Sequence, residues 1–367
     1  MTRKIRVFGA GFLVAVWAVL ACLAWVQPAK DNSEAERRPL AQFPQLSVDA
    51  VLNGKFMSGF EDYTLDQFPF RDAFRRLKSL THYYGLNFKD NNGIYIVDGA
   101  AAKLDYPVNN DALSYAMKRL NYVYETYLAP QGSKVYAAVI PDKGYYLAEA
   151  NGYPAMDYDA LFETVRREMP WAEHIDLTQS LSAEDYYLTD THWRQETLLP
   201  AAKTLCDAMG IAAFDAQEME KVLVERPFYG VYYGQAALPM EPEDMYFLQN
   251  KLLQDCRVYH YDTNDYTGIY DMEKLDSKDL YDVFLSGAKS LLRIENSNAG
   301  TDRELIVFRD SFGSSMVPLL VKDYKSITMV DIRYLDSRML DRFLEFTGQD
   351  VLFLYSTLVL NSGTSLK

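Results

Sequence analysis

Hydrophobic positions along the chain follow two alternating periods. From Asp111, Leu113, Met117, Leu120, Val123 and Tyr127 recur at helical spacing, and Val135–Ile140 is then a near-continuous apolar run that stops at Pro141-Asp142. Such a run is expected of a parallel strand buried on both faces. A second helix is predicted from about Asp157, with Leu161, Val165 and Met169 on one side and Pro170 as its stop. A short strand follows at 174–177, and a third helix over 196–209 is closed by Gly210. After a break, apolar runs return at 304–308, 326–330 and 351–355, with a helix from about Gly313 between the first two. Alternating strand and helix predicts an α/β fold built on a parallel sheet with helices on both faces.

The flanking and intervening segments read differently. Residues 7–26 are an uncharged apolar run of about the length a helix needs to cross a bilayer. Residues 28–46 are polar and contain prolines, as expected of a tether. Around Phe56, Phe60, Tyr63, Phe74 and Leu77 the pattern is amphipathic and helical, and Ile94–Val97 reads as a strand after Asn91-Asn92-Gly93. Between about 211 and 300 the alternation gives way to a Tyr- and acid-rich stretch, read as a β-rich insertion with hairpin strands. The expected organisation is therefore an anchor or signal segment at 1–27, a tether at 28–46, a helical lead-in at 47–110, and a main domain at 111–367 with the insertion at about 211–300.

Composition narrows the partners. A net charge of −14 with no basic stripe disfavours nucleic acid. Three cysteines without C-x-x-C spacing and only four histidines argue against a metal site, and Cys206 and Cys256 are expected to be buried free thiols rather than a pair. The basic head Thr2-Arg3-Lys4-Ile5-Arg6 before the apolar run predicts a cytoplasmic N-terminus, with the remainder outside the membrane. An uncleaved anchor fits better than a cleaved signal or a lipoprotein box at Cys22, because the apolar run continues past that cysteine.

Two motifs carry candidate chemistry. Asp190-Thr191-His192-Trp193 offers an imidazole with a carboxylate two residues before it; Arg309-Asp310-Ser311-Phe312-Gly313 puts a serine at a strand-to-helix turn, where its hydroxyl can project and backbone amides can face an oxyanion. A serine needs a base, and the base needs an acceptor to set its tautomer, so Ser311, His192 and Asp190 are the candidate nucleophile, base and orienting acid. Trp193, beside the candidate base, is the best candidate for a ring that stacks on substrate. His82, His174 and His260 are expected to be structural.

These motifs, with Phe60-Glu61-Asp62-Tyr63, Asp66-Gln67-Phe68-Pro69-Phe70-Arg71, Ile140-Pro141-Asp142-Lys143 and Tyr355-Ser356-Thr357, resemble the DHHW family, relatives of alginate O-acetyltransferase proteins with an SGNH-hydrolase-like domain. Thr191 stands where the family name has a histidine. The resemblance implies a circularly permuted SGNH-like domain in which Asp190, His192 and Ser311 form a triad that needs no cofactor. It also implies an acetyl group passed to a cell-surface or secreted polysaccharide, with a membrane-bound O-acyltransferase as supplier. Oxyanion donors would be the amides of Ser311 and Gly313, with Asn361 after the last strand as a weaker candidate. A deacetylase using the same residues and a non-catalytic glycan-binding assembly protein remain the alternatives.

Overall fold

The computed structural model describes residues 3–33 and 35–367; Thr2 of the basic head lies outside the described residues. The chain forms two compact units, one comprising the segment up to Asn92 with Tyr233–Pro239, the other Gly93–Tyr232 with Met240–Lys367.

The larger unit is organised by an eight-stranded sheet. In chain order its strands are β1 (Val135–Ile140), β2 (Glu173–Ile175), β3 (Arg257–His260), β4 (Asp265–Thr267), β5 (Leu291–Glu295), β6 (Glu304–Arg309), β7 (Ser326–Val330) and β8 (Asp350–Ser356). In space they run β4-β3-β5-β7-β6-β8-β1-β2. The five from β7 to β2 are mutually parallel, whereas β5, β3 and β4 continue the sheet antiparallel. The apolar runs are explained by burial on two sides. Tyr136, Ala138, Leu305, Val307, Leu352 and Leu354 point into a layer with Leu205 of the helix Leu199–Met209. Val135, Ala137, Ile306, Phe308, Val351 and Phe353 point into the opposite layer, with Leu120 of Asn110–Val123 and Leu161 of Tyr158–Glu168. The fold is thus mixed α/β with a parallel-rich sheet covered on both faces.

Local signals account for the helix boundaries. Asp157 caps Tyr158–Glu168 by accepting from the Ala160 amide at 3.0 Å, and Gly210 ends Leu199–Met209 with φ +62°. The helix after Ser311 is shorter than its pattern suggests. It is α-helical only over Gly313–Met316 and continues as a 3₁₀ turn over Val317–Asp323, because Pro318 brings no amide to the ladder.

The stretch read as an insertion has two parts. Glu220–Phe228 and Glu243–Gln249 form a separate antiparallel hairpin with its own small core, while β3, β4 and β5 belong to the main sheet. Antiparallel edge strands lack the helix-strand alternation that marks the parallel block, so their membership is invisible to that pattern.

In the smaller unit, the helix Arg3–Val26 is long and apolar enough over Val7–Val26 to cross a membrane, and none of that window is buried. Helices Val48–Leu52, Lys55–Asp66 and Arg71–Leu80 follow. The segment expected to be a loose tether is instead tied down. Arg38 makes a two-pronged ion pair with Asp66 at 2.6 and 2.8 Å, the Ala41 amide donates to the same carboxylate, and the Lys30 amide donates to Gln67 Oε1.

Candidate functional site

Strand β6 delivers Asp310 and Ser311 to the carboxyl edge of the sheet, and the Asp310 carboxylate shapes the turn. Its Oδ1 accepts from the Phe312 amide at 3.0 Å, and its Oδ2 accepts from the Ser356 amide at the end of β8 at 2.8 Å. The turn is closed by the Gly313 amide donating to the Asp310 carbonyl, and Ser311 is left half-buried at its crest. Glycine at 313 is a packing requirement, since a Cβ there would lie 2.9 Å from Arg309 Cβ. The Gly313 amide is therefore engaged inside the turn rather than free to face an oxyanion; the Ser311 amide has no acceptor among the described residues.

Asp190 and His192 come from a turn that is closed by the Tyr187 amide donating to the His192 carbonyl at 3.0 Å. The Tyr186 hydroxyl bonds the Pro141 carbonyl just beyond β1, which fastens this turn to the same sheet edge. Asp190 is fully buried, and its Oδ1 accepts from the His192 amide at 3.0 Å and faces His192 Nδ1 at 2.7 Å. Its Oδ2 accepts from the Val231 amide at 2.7 Å. His192 Nε2 lies 2.8 Å from Ser311 Oγ. The three candidates, 119 residues apart at their widest step, form one continuous hydrogen-bonded chain. Such a chain can move a proton from a hydroxyl to an imidazole whose other nitrogen is held by a carboxylate.

The other predicted residues fall elsewhere. Trp193 is completely buried, its indole N–H donating to the Phe312 carbonyl and to Ser315 Oγ. It presents no ring face to a sugar, which corrects the expectation of a stacking platform. Its packing against Phe312 instead locks the His192 turn to the Ser311 turn. Asn361 spends its carboxamide on the start of the helix Asn110–Val123, accepting from the Asn109 amide at 2.6 Å and donating to the Pro107 carbonyl. Among the remaining histidines, His82 stacks on Phe88, His174 faces the Met169 carbonyl and His260 faces Thr267 Oγ1. Cys206 and Cys256 are buried free thiols whose pKa values burial pushes up to about 12. Among the described residues no group of three or more His, Cys, Asp or Glu side chains is placed to hold a metal ion.

Sequence reasoning missed two residues that pack directly on the three candidates. Tyr281 stacks on the His192 ring with centroids 3.9 Å apart and shares a hydrogen bond with Ser315 Oγ; burial drives its phenol pKa far above the ordinary value, so it stays neutral. It sits in a Tyr-rich stretch without any local mark. Gly230 passes so close to the acid that a Cβ would lie 2.3 Å from Asp190 Cβ.

The DHHW protein family model matches residues 158–330. No curated protein matches the chain. Among solved structures, the chain is similar to a DHHW family protein from Eubacterium siraeum, with a TM-score of 0.59 and 23% identity over 75% of this chain and 94% of that one. It is also similar to Bacillus cereus PatB1 bearing a sulfonyl adduct, with a TM-score of 0.58 and 18% identity over 73% of this chain and 95% of the other. The O-acetyltransferase domain of Pseudomonas putida AlgJ is more distant, with a TM-score of 0.47 and 14% identity over 73% and 92% of the two chains.

Proposed function

We propose that this chain, whose residues 158–330 match the DHHW protein family model, is an extracytoplasmic serine O-acetyltransferase with an SGNH-like domain, acting on a cell-surface or secreted polysaccharide. The observation that carries the reading is the unbroken run Asp190 Oδ1, His192 Nδ1, His192 Nε2, Ser311 Oγ, with steps of 2.7 and 2.8 Å. Ser311 Oγ attacks the acetyl carbonyl of a donor while His192 Nε2 takes the hydroxyl proton. The imidazolium is stabilised by buried Asp190 and by the neutral Tyr281 ring stacked on it. The Ser311 amide faces the developing oxyanion. His192 then returns the proton to the leaving group, and the acetyl group rests on Ser311.

A sugar hydroxyl entering in place of the leaving group gives its proton to His192 Nε2 and takes the acetyl group, releasing Ser311 Oγ–H. Water in that position would instead make the enzyme an esterase. Transfer is preferred on the family resemblance, and the apolar helix Arg3–Val26 suits a protein held at the outer face of a membrane near a membrane-bound acetyl supplier.

The test is to offer an activated acetyl ester and follow intact mass. Wild type should gain one acetyl group that localises to Ser311, and an acceptor glycan should speed its loss more than water does. Ser311→Ala and His192→Ala should each abolish the adduct, and the double variant should be no worse than either, because the residues act as one unit. Adduct formation in folded Ser311→Ala would refute the mechanism. Glycan binding by wild type without any acetyl adduct would favour a non-catalytic assembly role.

A further inference from the structure

Lys143, from the Pro141-Asp142-Lys143 run, has no part in the mechanism above, yet its side chain is buried at 2% exposure. Burying an ammonium is costly unless it is well partnered. Its Nζ donates to the Tyr187 carbonyl at 2.7 Å and reaches the Leu188 carbonyl at 3.4 Å, while lying 5.2 Å from the centroid of the Tyr232 ring. Those two carbonyls open the turn that ends in Asp190 and His192. The same two peptides are held on their other side by the opposite charge. Glu243 accepts from the Leu188 amide through Oε2 and from the Thr189 amide and hydroxyl through Oε1, at 2.8, 2.8 and 3.0 Å. A cation thus grips the carbonyls and an anion grips the amides of one short stretch, so the two charges face each other across the backbone instead of touching.

We infer that Lys143 and Glu243 form a charge clamp that positions the 187–192 turn, and that supplying Glu243 is a function of the hairpin Glu220–Phe228/Glu243–Gln249. The physical reason is that charge-assisted hydrogen bonds to backbone groups are stronger than neutral ones and leave little freedom in the peptides they hold. Neither side chain touches the reacting atoms; both are positioning residues, and the inference rests on the proposed roles of Asp190 and His192. Burial and the surrounding carboxylates act on the ammonium in opposite directions. Burial brings the Lys143 pKa down to about 7, while Asp190, Glu243 and Asp142 oppose that fall. Asp142 is itself committed to the Tyr158 and Thr357 hydroxyls and the Gly144 amide, and its own pKa is raised by burial.

The test uses the full-length chain with Lys143→Met, Glu243→Gln and the double variant, each checked for folding by circular dichroism. Two readouts are needed. The first is the rate of Ser311 acetylation by an activated acetyl ester. The second is the ¹⁵N spectrum of selectively labelled histidine, in which only four residues contribute and the His192 Nδ1 proton bonded to Asp190 reports the dyad directly. Each single variant should slow acetylation about 10-fold to 100-fold, the scale of a misplaced catalytic group, and should shift or broaden the His192 signal. The double variant should lose no more than the worse single one, because two halves of a clamp are not independent.

Folded Lys143→Met or Glu243→Gln with a wild-type rate and an unmoved His192 signal would overturn the clamp, as would losses that simply multiply. Should Lys143→Met fail to fold, Glu243→Gln alone decides. Absence of acetylation in wild type would count against the enzymatic reading, and the histidine spectrum would still test the clamp.

Discussion

At the residue scale, the placement of Asp190, His192 and Ser311 depends on neighbouring groups outside the candidate triad. Gly230 is the sharpest case. A Cβ there would meet Asp190 Cβ, Cα and N at 2.3–2.4 Å, and two of those three are backbone atoms that cannot rotate away. The neighbouring Val231 amide donates to Asp190 Oδ2, so the close approach is also what brings that donor to the carboxylate. Gly230→Ala should therefore displace the acid as well as strain the fold. We expect a stability loss of about 1–3 kcal/mol, the usual range for overpacking, together with a fall in Ser311 acetylation larger than thermal unfolding explains. Melting temperature and acetylation rate measured on the same sample check this; wild-type values for both would show that the backbone yields there. Tyr281 and Gly230 also illustrate why part of the site was illegible. Asp190, His192 and Ser311 sit in short motifs of chemically loaded residue types, whereas a glycine or a tyrosine becomes functional only through what lies across from it.

Among elements, the segment after the apolar helix behaves unlike its composition. Its prolines and charges suggest a free linker, but Arg38, Ala41 and Lys30 anchor it to Asp66 and Gln67 at the end of the helix Lys55–Asp66. The Arg38 guanidinium bonded to Asp66 holds that carboxyl down at about 2, below the 3.8 of a free aspartate. A folded-state pKa below the unfolded one means stabilisation that is complete above pH 3.8 and lost as pH falls toward 2. A nitroxide attached at Asn32, on a Cys22→Ser background, should thus be immobilised at neutral pH and gain mobility over that window. Asp66→Asn should make it mobile at every pH. A label equally mobile in wild type and Asp66→Asn at pH 7 would mean the ion pair does not hold the segment.

Across the whole molecule, the apolar helix and the basic residues before it set an expected orientation. Protease added to intact cells stripped of any outer barrier should digest residues 40–367, and detergent should be unnecessary; protection of that region until lysis would reverse the topology. The sequence by itself determined the parallel block. Strands 135–140 and 326–330 were legible to the residue, because strands covered on both faces are rich in apolar and β-branched residues and lack a regular polar alternation. It also singled out Ser311, His192 and Asp190 as candidates for a triad, since few residue types can fill those roles. Only the tertiary structure decided the rest. It turned Trp193 inward, because the indole N–H found acceptors on the serine turn, and it spent the Gly313 amide on its own turn and the Asn361 carboxamide on the distant backbone of Pro107 and Asn109. It divided the 211–300 stretch between the sheet and a hairpin, and set Glu243 opposite Lys143 across 100 residues of chain. Local periodicity reports how each residue meets the core, but it carries no information about which distant segment the fold brings to face it.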